Sequence, residues 1–548
     1  MPGRALSQYF NTVRYLTWRQ ILRRLWFRIY RPAPDLSPAP RRRKATGDWL
    51  SPICGKESLR GRWRFEFLNE ERELSFPGDW NPSGVSRLWV YNLHYFDDLK
   101  SCKAADRIGL HRDLLIRWVE DNPPSFGAGW EPYPTSLRLV NWVKWALAGN
   151  ELPSAVDHSL AVQARWLCRR IEYHLLGNHL LANAKALIFA GTYFDGLEAE
   201  TWKKIGEEIL QKQLPEQILP DGGHYELSPM YHLLVLEDLL DLVNLYGAYE
   251  KQAPALWREA IERMLVWSGM MRHPDGEIPF FNDAAIGIAP PPEELDRYAA
   301  SLGFDMDRAV VNGCLPNSGY CRMKKNSAVL FMDCGAVGPD VQPGHAHADT
   351  LSFELSIHGR RLFVNSGTST YERGGERERQ RGSAAHNTLV IDGIDSSEVW
   401  AAFRVARRAR VIGRTSDFSG ARFLVSAVHD GYKRLPGDVL HERTWHFDEK
   451  GLEIVDSLSG LGRHRVELYF HLHPSVDVQE DHGVVHLSWR GSGRKVATMR
   501  CDAMVEVSVE KSTYHPEFGK TIPSRRIVCR TESKLPCLLT TRLEWVPS

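Results

Sequence analysis

The chain has no Cys-x-x-Cys pair, no apolar run of about 18 residues and almost no net charge. Each absence removes a class of protein. Nine scattered cysteines leave at least one thiol unpaired in a monomer, which predicts a reducing compartment rather than a disulfide framework. Without a long apolar run, no transmembrane helix is expected. The N-terminus lacks the apolar core of a secretory signal, so the expected location is the cytoplasm, with the periplasm left open. A formal charge of +1 gives no reason to invoke nucleic acid. No strict repeat of fixed length occurs.

What is present points to a large globular protein. A length of 548 residues exceeds one ordinary core and predicts two or three domains. Hydrophobic content of 43% and charged content of 25% are ordinary for such a chain. The 18 Trp fit ring-lined carbohydrate clefts or large helical cores, and the core is the preferred reading. Residues 1–44 carry Arg4, Arg14, Arg19, Arg23, Arg24, Arg28, Arg31 and a further basic cluster, against one acid, Asp35. Trp18, Leu22, Trp26 and Ile29 recur between them at helical spacing. A basic amphipathic helix of this kind packs on the body or makes peripheral contact with an anionic membrane. Packing is preferred, followed by a Pro-rich linker from Arg31.

From about residue 100 to 310 the apolar positions recur at three- and four-residue steps, with helical runs at 161–194, 202–214, 228–246 and 254–271. Pro and Gly clusters separate them, and a last helix is expected over 293–302. From about 318 the period becomes two, with strands such as 328–332, 351–357, 388–391 and 466–472 between Gly-containing turns. The expected architecture is α+β and multidomain. A lead-in segment (1–90) precedes an incomplete toroid of helical hairpins (91–312), and an antiparallel β-sandwich (313–548) follows.

Three clusters carry chemistry. Gly344-His345-Ala346-His347-Ala348-Asp349 places imidazoles and a carboxylate at alternate positions, which in an extended chain share one face. Such a face suits proton transfer or a metal. Gly177-Asn178-His179 opens a helical run, with Asn178 a candidate cap and Asn183 further along. In Gly222-Gly223-His224-Tyr225-Glu226-Leu227-Ser228-Pro229-Met230-Tyr231, Ser228-Pro229 reads as N-cap and first helical residue. Tyr231 then falls in the first turn, where the helix dipole favours its ionisation. The charge run 372–381 reads as a solvated loop whose arginines suit carboxylates or sulfates.

These motifs, with Gly367-Thr368, Tyr371 and Ala385-His386-Asn387-Thr388, resemble the heparinase II/III-like polysaccharide lyases in content and order. The resemblance implies an (α/α) toroid joined to an antiparallel sandwich. It also implies β-elimination on uronic-acid-containing polysaccharides, glycosaminoglycans among them. Asn178 then resembles the neutraliser of the uronate carboxylate and His179 the base. Tyr231 resembles a base or acid, and His345 the histidine supplied by the β domain. Tyr133, Arg138, His224 and Glu226 are implied substrate contacts. His347 and His386 resemble ligands of a structural zinc or other divalent metal, which the proton transfer itself does not require. Asn365 occupies the third ligand position, where relatives carry aspartate. A weakened site, a site rearranged onto Asp349, and a metal-free site in which Asn365 bonds histidine all stay open. The implied partner is an acidic polysaccharide, and relatives among bacterial surface-polysaccharide genes suggest a self-made polymer. Glycoside hydrolysis by Glu226 and Asp221, or non-catalytic polysaccharide binding and assembly, are the competing readings.

Overall fold

In the computed structural model, which describes residues 2–307 and 310–545, helices fill the first half of the chain and antiparallel strands the second. The expected basic helix is two helices, α1 (Pro2–Val13) and α2 (Trp18–Ile29). The side chains of residues 2–5, Arg4 included, lie outside those described. Thr17 caps α2 and forms a reciprocal capping box with Gln20. The lead-in also holds a three-stranded antiparallel sheet over 59–73 that the sequence reading did not separate.

The helical domain is built around helix Gly177–Tyr193, in which every residue except His179 is buried. A helix buried on all sides sits at the centre of a bundle. It lies against Pro132–Leu147, Leu197–Gln217 and Pro229–Ala248. The run expected over 161–194 is broken in two. Ser154–Arg169 ends before a turn in which Leu176 takes φ +62°, and Gly177–Tyr193 starts afresh. Tryptophan fills this interior: Trp80, Trp89, Trp118, Trp142, Trp257 and Trp267 are fully buried.

The β domain contains antiparallel sheets of five, eight and four strands. Strand Gly451–Ser459 alternates half-exposed and buried residues, the mark of a sheet with one wet face. Strand Ala328–Asp333 is buried throughout. Val329 and Phe331 pack with Leu227, Trp267 and Phe281 of the helical half. Ala328, Leu330 and Met332 pack into the sandwich core with Phe353, Trp445 and Phe470. One strand thus joins both cores, and the two halves meet along a dry seam that sets the position of the cleft.

The cysteines depart from expectation. Cys54–Cys102 and Cys314–Cys321 are disulfide-bonded, and Cys168, Cys334, Cys501, Cys529 and Cys537 are free. The first pair is 48 residues apart in sequence and becomes adjacent only because Gly55 bonds the backbone of Lys100 and Cys102. Alkylation of the denatured, unreduced protein should therefore label the five free thiols, and all nine cysteines after reduction. Nine adducts before reduction, from protein made in an oxidising compartment, would show that the pairs do not form.

Candidate active site

A cleft of about 1290 Å³ opens between the two halves. Tyr133, Asn178, His179, Glu226 and Tyr231 line it from the helical side, and His345 and Tyr371 from the β side. Local strain places several of them. Leu176, Leu227 and Asn282 are non-glycine residues at φ +62°, +56° and +56°. Each costs about 1–3 kcal/mol and persists only where the surrounding structure enforces it. Each lies one or two residues before a residue of the cleft or its support: Asn178, Ser228 and Asp283.

Gly177, at φ +57°, begins the helix directly beneath Glu226. A Cβ there would lie 2.1 Å from Glu226 Oε1. Asn178 is therefore inside the first turn and is not the cap. Its backbone N–H and its Nδ2 donate to Glu226 at 3.3 and 3.4 Å, and its Oδ1 has no partner. Burial raises the Glu226 carboxyl above its usual range. His179 packs on Tyr133 with ring centroids 4.3 Å apart and tilted by 35°, and donates through Nδ1 to Glu172 at 3.3 Å. Burial opposes its protonation, but the Glu172 carboxylate outweighs burial and raises its pKa.

The Ser228 hydroxyl caps helix Pro229–Ala248 by accepting from Tyr231 N at 3.2 Å. The Tyr231 ring stacks on His345 at 3.9 Å, and its hydroxyl lies 3.1 Å from that of Tyr371. The dipole does not prevail here. Burial first, then the neighbouring Tyr371 and Tyr133, push the Tyr231 phenol well above its usual pKa. It is a neutral donor at physiological pH.

The motif 344–349 is a loop rather than a strand; the strand begins at Phe353. The loop lies along Asn282–Asp283. Asp283 N donates to His345 O at 2.9 Å, His347 N to Asn282 Oδ1 at 2.9 Å, and Asn282 N to Asp349 Oδ2 at 2.8 Å. Asp283, which the sequence reading missed, is the hub. It accepts from His345 Nδ1 at 3.0 Å, His347 Nε2 at 2.8 Å and Arg377 Nη2 at 2.7 Å. Burial opposes its ionisation, but Arg377 and the two imidazoles hold its carboxyl well below the usual range. With Nδ1–H committed to Asp283, His345 turns Nε2 toward Glu226, 4.0 Å away. The charge run keeps Glu372, Arg373, Glu376, Glu378 and Arg379 exposed, but two of its arginines turn inward. Arg377 and Arg381 lie on the short helix Gly375–Arg381, fully buried, and Arg381 clamps the Ala346 carbonyl at 2.8 Å. An aspartate inside an apolar stretch (280–285) was the only signal for Asp283; Glu172 had none.

Two implied substrate contacts lie off the cleft, and Asn365 does not make the bond expected of it. Arg138 is fully buried in the toroid, 3.8 Å above the Trp118 ring, and donates to Gln163 and the His94 carbonyl. It faces away from the cleft because its helix turns Ser136 and Leu137 toward it. His224 lies beneath the cleft wall, bonded to Gln217 at 3.1 Å. Asn365 bonds no histidine: its Oδ1 accepts from Asn387 N at 3.0 Å and its Nδ2 faces Ser352 Oγ at 3.5 Å.

His347, Asp349 and His386 bring ligand atoms within 4.8 Å of one another, all buried. Their outer contacts test whether a cation fits. His386 Nδ1 faces the Gly382 carbonyl at 2.9 Å, which only an N–H satisfies, so its Nε2 carries a lone pair. His347 Nε2–H is likewise spent on Asp283. The two remaining lone pairs, His347 Nδ1 and His386 Nε2, face each other at 3.1 Å. That arrangement needs a proton or a cation between the rings, and a neighbouring carboxylate suits a divalent ion.

Residues 152–290 match the heparinase II/III N-terminus family and residues 313–538 the heparinase II/III-like C-terminal family. The chain belongs to the heparinase II/III-like family. The heparin-sulfate lyase of Bacteroides stercoris is 26% identical over 332 residues, 55% of this chain. That alignment spans about half of the relative, 46% of its length. FtsZ-localized protein C of Caulobacter vibrioides is 26% identical over 517 residues, 88% of this chain and 86% of that protein. A crystal structure of heparinase III superposes with a TM-score of 0.74 at 19% identity, covering 96% of this chain and 89% of that one. This likeness extends the toroid-plus-sandwich fold to nearly the whole chain.

Replacing Asp283 by Asn should cost about 3–5 kcal/mol, because Arg377 is left buried without a carboxylate. The wild-type carboxyl pKa is depressed, so its contribution is full above the unfolded value and is lost as pH falls through the folded one. Urea melts of both proteins should differ fully at neutral pH, and the gap should begin to shrink only below about pH 4 and close as pH falls through the depressed folded value. Equal stability of the two at pH 7 would remove Asp283 from its central place.

Proposed function

We propose that the chain is a polysaccharide lyase that cleaves a uronic-acid-containing polysaccharide by β-elimination. The observation that carries this reading is the meeting of Asn178, His179, Tyr231 and His345 on one cleft. The C5 proton beside a uronate carboxylate is a poor acid, and cleavage requires stabilising the enolate-like charge that follows its loss. His179, pushed toward the cation by Glu172, and Asn178 face that carboxylate. A half-turn of the Asn178 amide aims Nδ2 at the sugar, and burial, which pushes Glu226 toward its neutral acid, favours a bond from Glu226 to Oδ1 in that pose. A donor in this role contributes about 3–4 kcal/mol.

His345 Nε2 takes the C5 proton, with Asp283 fixing the tautomer and stabilising the imidazolium. The C5–H electrons form the C4–C5 double bond, the C4–O4 bond breaks, and the neutral Tyr231 phenol protonates O4. Positioned acids and bases of this kind give roughly 10²–10⁴-fold each. This differs from the sequence reading, which made His179 the base. Zinc at His347, Asp349 and His386 would supply positive charge that braces the loop bearing His345.

The hydrolase reading loses its carboxylate pair. Glu226 lines the cleft, but Asp221 accepts from Asn317 and Ser318 N–H groups in a turn outside it. The assembly reading keeps one supporting observation, the alignment to FtsZ-localized protein C over most of both chains.

Incubation with a panel of uronate polysaccharides should produce the ultraviolet absorbance of an unsaturated uronate. Tyr231→Phe should lose at least about 10²-fold in kcat while polymer binding survives. Binding without any unsaturated product across the panel would favour the assembly reading. Elemental analysis should find a stoichiometric divalent ion that His386→Ala loses; metal-free wild type with an unchanged melting temperature after chelation would remove the metal.

A further inference from the structure

The N-terminal hairpin buries its polar side. An amphipathic helix on a globular protein ordinarily turns its apolar stripe to the core. In α2 the residues facing the body are Gln20, Arg24 and Phe27. Gln20 Nε2 donates to the Val341 carbonyl at 3.0 Å. Arg170 donates to the Phe27 and Tyr30 carbonyls at 2.8 and 2.6 Å and lies 3.6 Å above the Phe27 ring. The opposite face carries Trp18, Ile21, Leu22, Leu25, Trp26 and Ile29, all exposed, with Trp18 at 66% and Ile29 at 76%. The neighbouring helix repeats the pattern. In α1, Ser7 and Thr12 accept from Arg407 and Trp400 of the β domain and the Tyr9 ring rests edge-on against Trp400, while Leu6, Phe10 and Val13 are exposed. The docked orientation is thus held by specific polar bonds and leaves the apolar stripe uncovered.

Charge identifies what covers it. No acidic residue occurs before Asp35. Arg14, Arg19, Arg23, Arg28 and Arg31 are exposed around the stripe. By helical spacing Arg19 and Arg23 flank it on one side and Arg28 on the other. A second copy of the chain would bring these arginines face to face with no carboxylate between them. An anionic lipid surface meets both features at once, taking apolar side chains below the headgroups and arginines among the phosphates. Exposed Trp18 and Trp26 suit the interfacial zone. Among the described residues no helix is long and apolar enough to cross a membrane, and each hairpin helix has only 12 residues.

We infer that α1 and α2 form a monotopic docking element that lies in the surface of an anionic bilayer. The inner side of the same hairpin matters to the site. Thr12, Arg24, Phe27 and Arg28 line the cleft. A docked hairpin therefore holds that edge of the cleft beside the headgroups, where a membrane-linked polymer would be presented. The inference does not depend on the lyase reading, and its test involves no turnover.

The full chain should sediment with vesicles of phosphatidylglycerol and phosphatidylcholine in equal parts, and much less with phosphatidylcholine alone. Its tryptophan emission should shift to the blue on binding. Leu22→Glu with Trp26→Glu, both on the exposed face, should weaken sedimentation roughly tenfold or more while the melting temperature stays unchanged. Arg19→Gln with Arg23→Gln should weaken binding to the anionic vesicles only, as should raised salt. This second pair decides the matter if the first fails to fold. No sedimentation of the wild type would overturn the proposal, as would binding indifferent to both pairs. A solution dimer dissolved by the first pair, without vesicle binding, would assign the face to a second copy instead.

Discussion

The site depends on one buried carboxylate. Asp283 lies at the seam between the domains and takes hydrogen bonds from His345, His347 and Arg377, while its carbonyl accepts from the Ser228 hydroxyl. A charge removed from water must be matched by partners at hydrogen-bonding distance, or it is neutralised by a proton. Here the matching cation is Arg377, also fully buried. The pair fixes the His345 loop, the tautomers of two histidines and, through Ser228, the start of the helix carrying Tyr231. Groups from both domains thereby converge without contacting one another directly in sequence.

Around that hub the cleft sorts its titrating groups. His179 has an adjacent carboxylate and is pushed toward the cation. For Tyr231, burial and the neighbouring Tyr371 and Tyr133 hold it as the phenol. Glu226, buried between Asn178 and His345, is pushed toward the neutral acid. Pairs of groups driven in opposite directions are how a single cavity holds an acid, a base and a neutraliser at one pH. On the toroid wall of the cleft, Lys185 is matched by Asp238 and Asp241 at 2.6 and 2.5 Å, so its charge is compensated within the helices.

Strain and clamping take the place of regular secondary structure at the site. Leu176, Leu227 and Asn282 hold left-handed backbone next to cleft or hub residues. Arg381 secures the loop at Ala346, and Gly177 leaves the space Glu226 occupies. A loop held by two buried guanidiniums is rigid for reasons that no local sequence pattern expresses.

Local periodicity alone determined the order of the architecture. The 3.6-residue apolar period and then the 2-residue period are properties of consecutive residues, and so is the Ser228-Pro229 helix start. The motif order carried the family and pointed to Asn178, His179, Tyr231 and His345. Tertiary structure decided what depends on partners distant in sequence. Arg138 belongs to the core because Trp118 and Gln163 are there to receive it. Burial, and not the helix dipole, governs Tyr231. Cys54 meets Cys102 only when Gly55 pairs across the lead-in. The amphipathic period of α2 is plain in the sequence, but which face meets the protein is not: a period fixes the angle between two faces, and only the polar partners offered by the folded body select the face that docks.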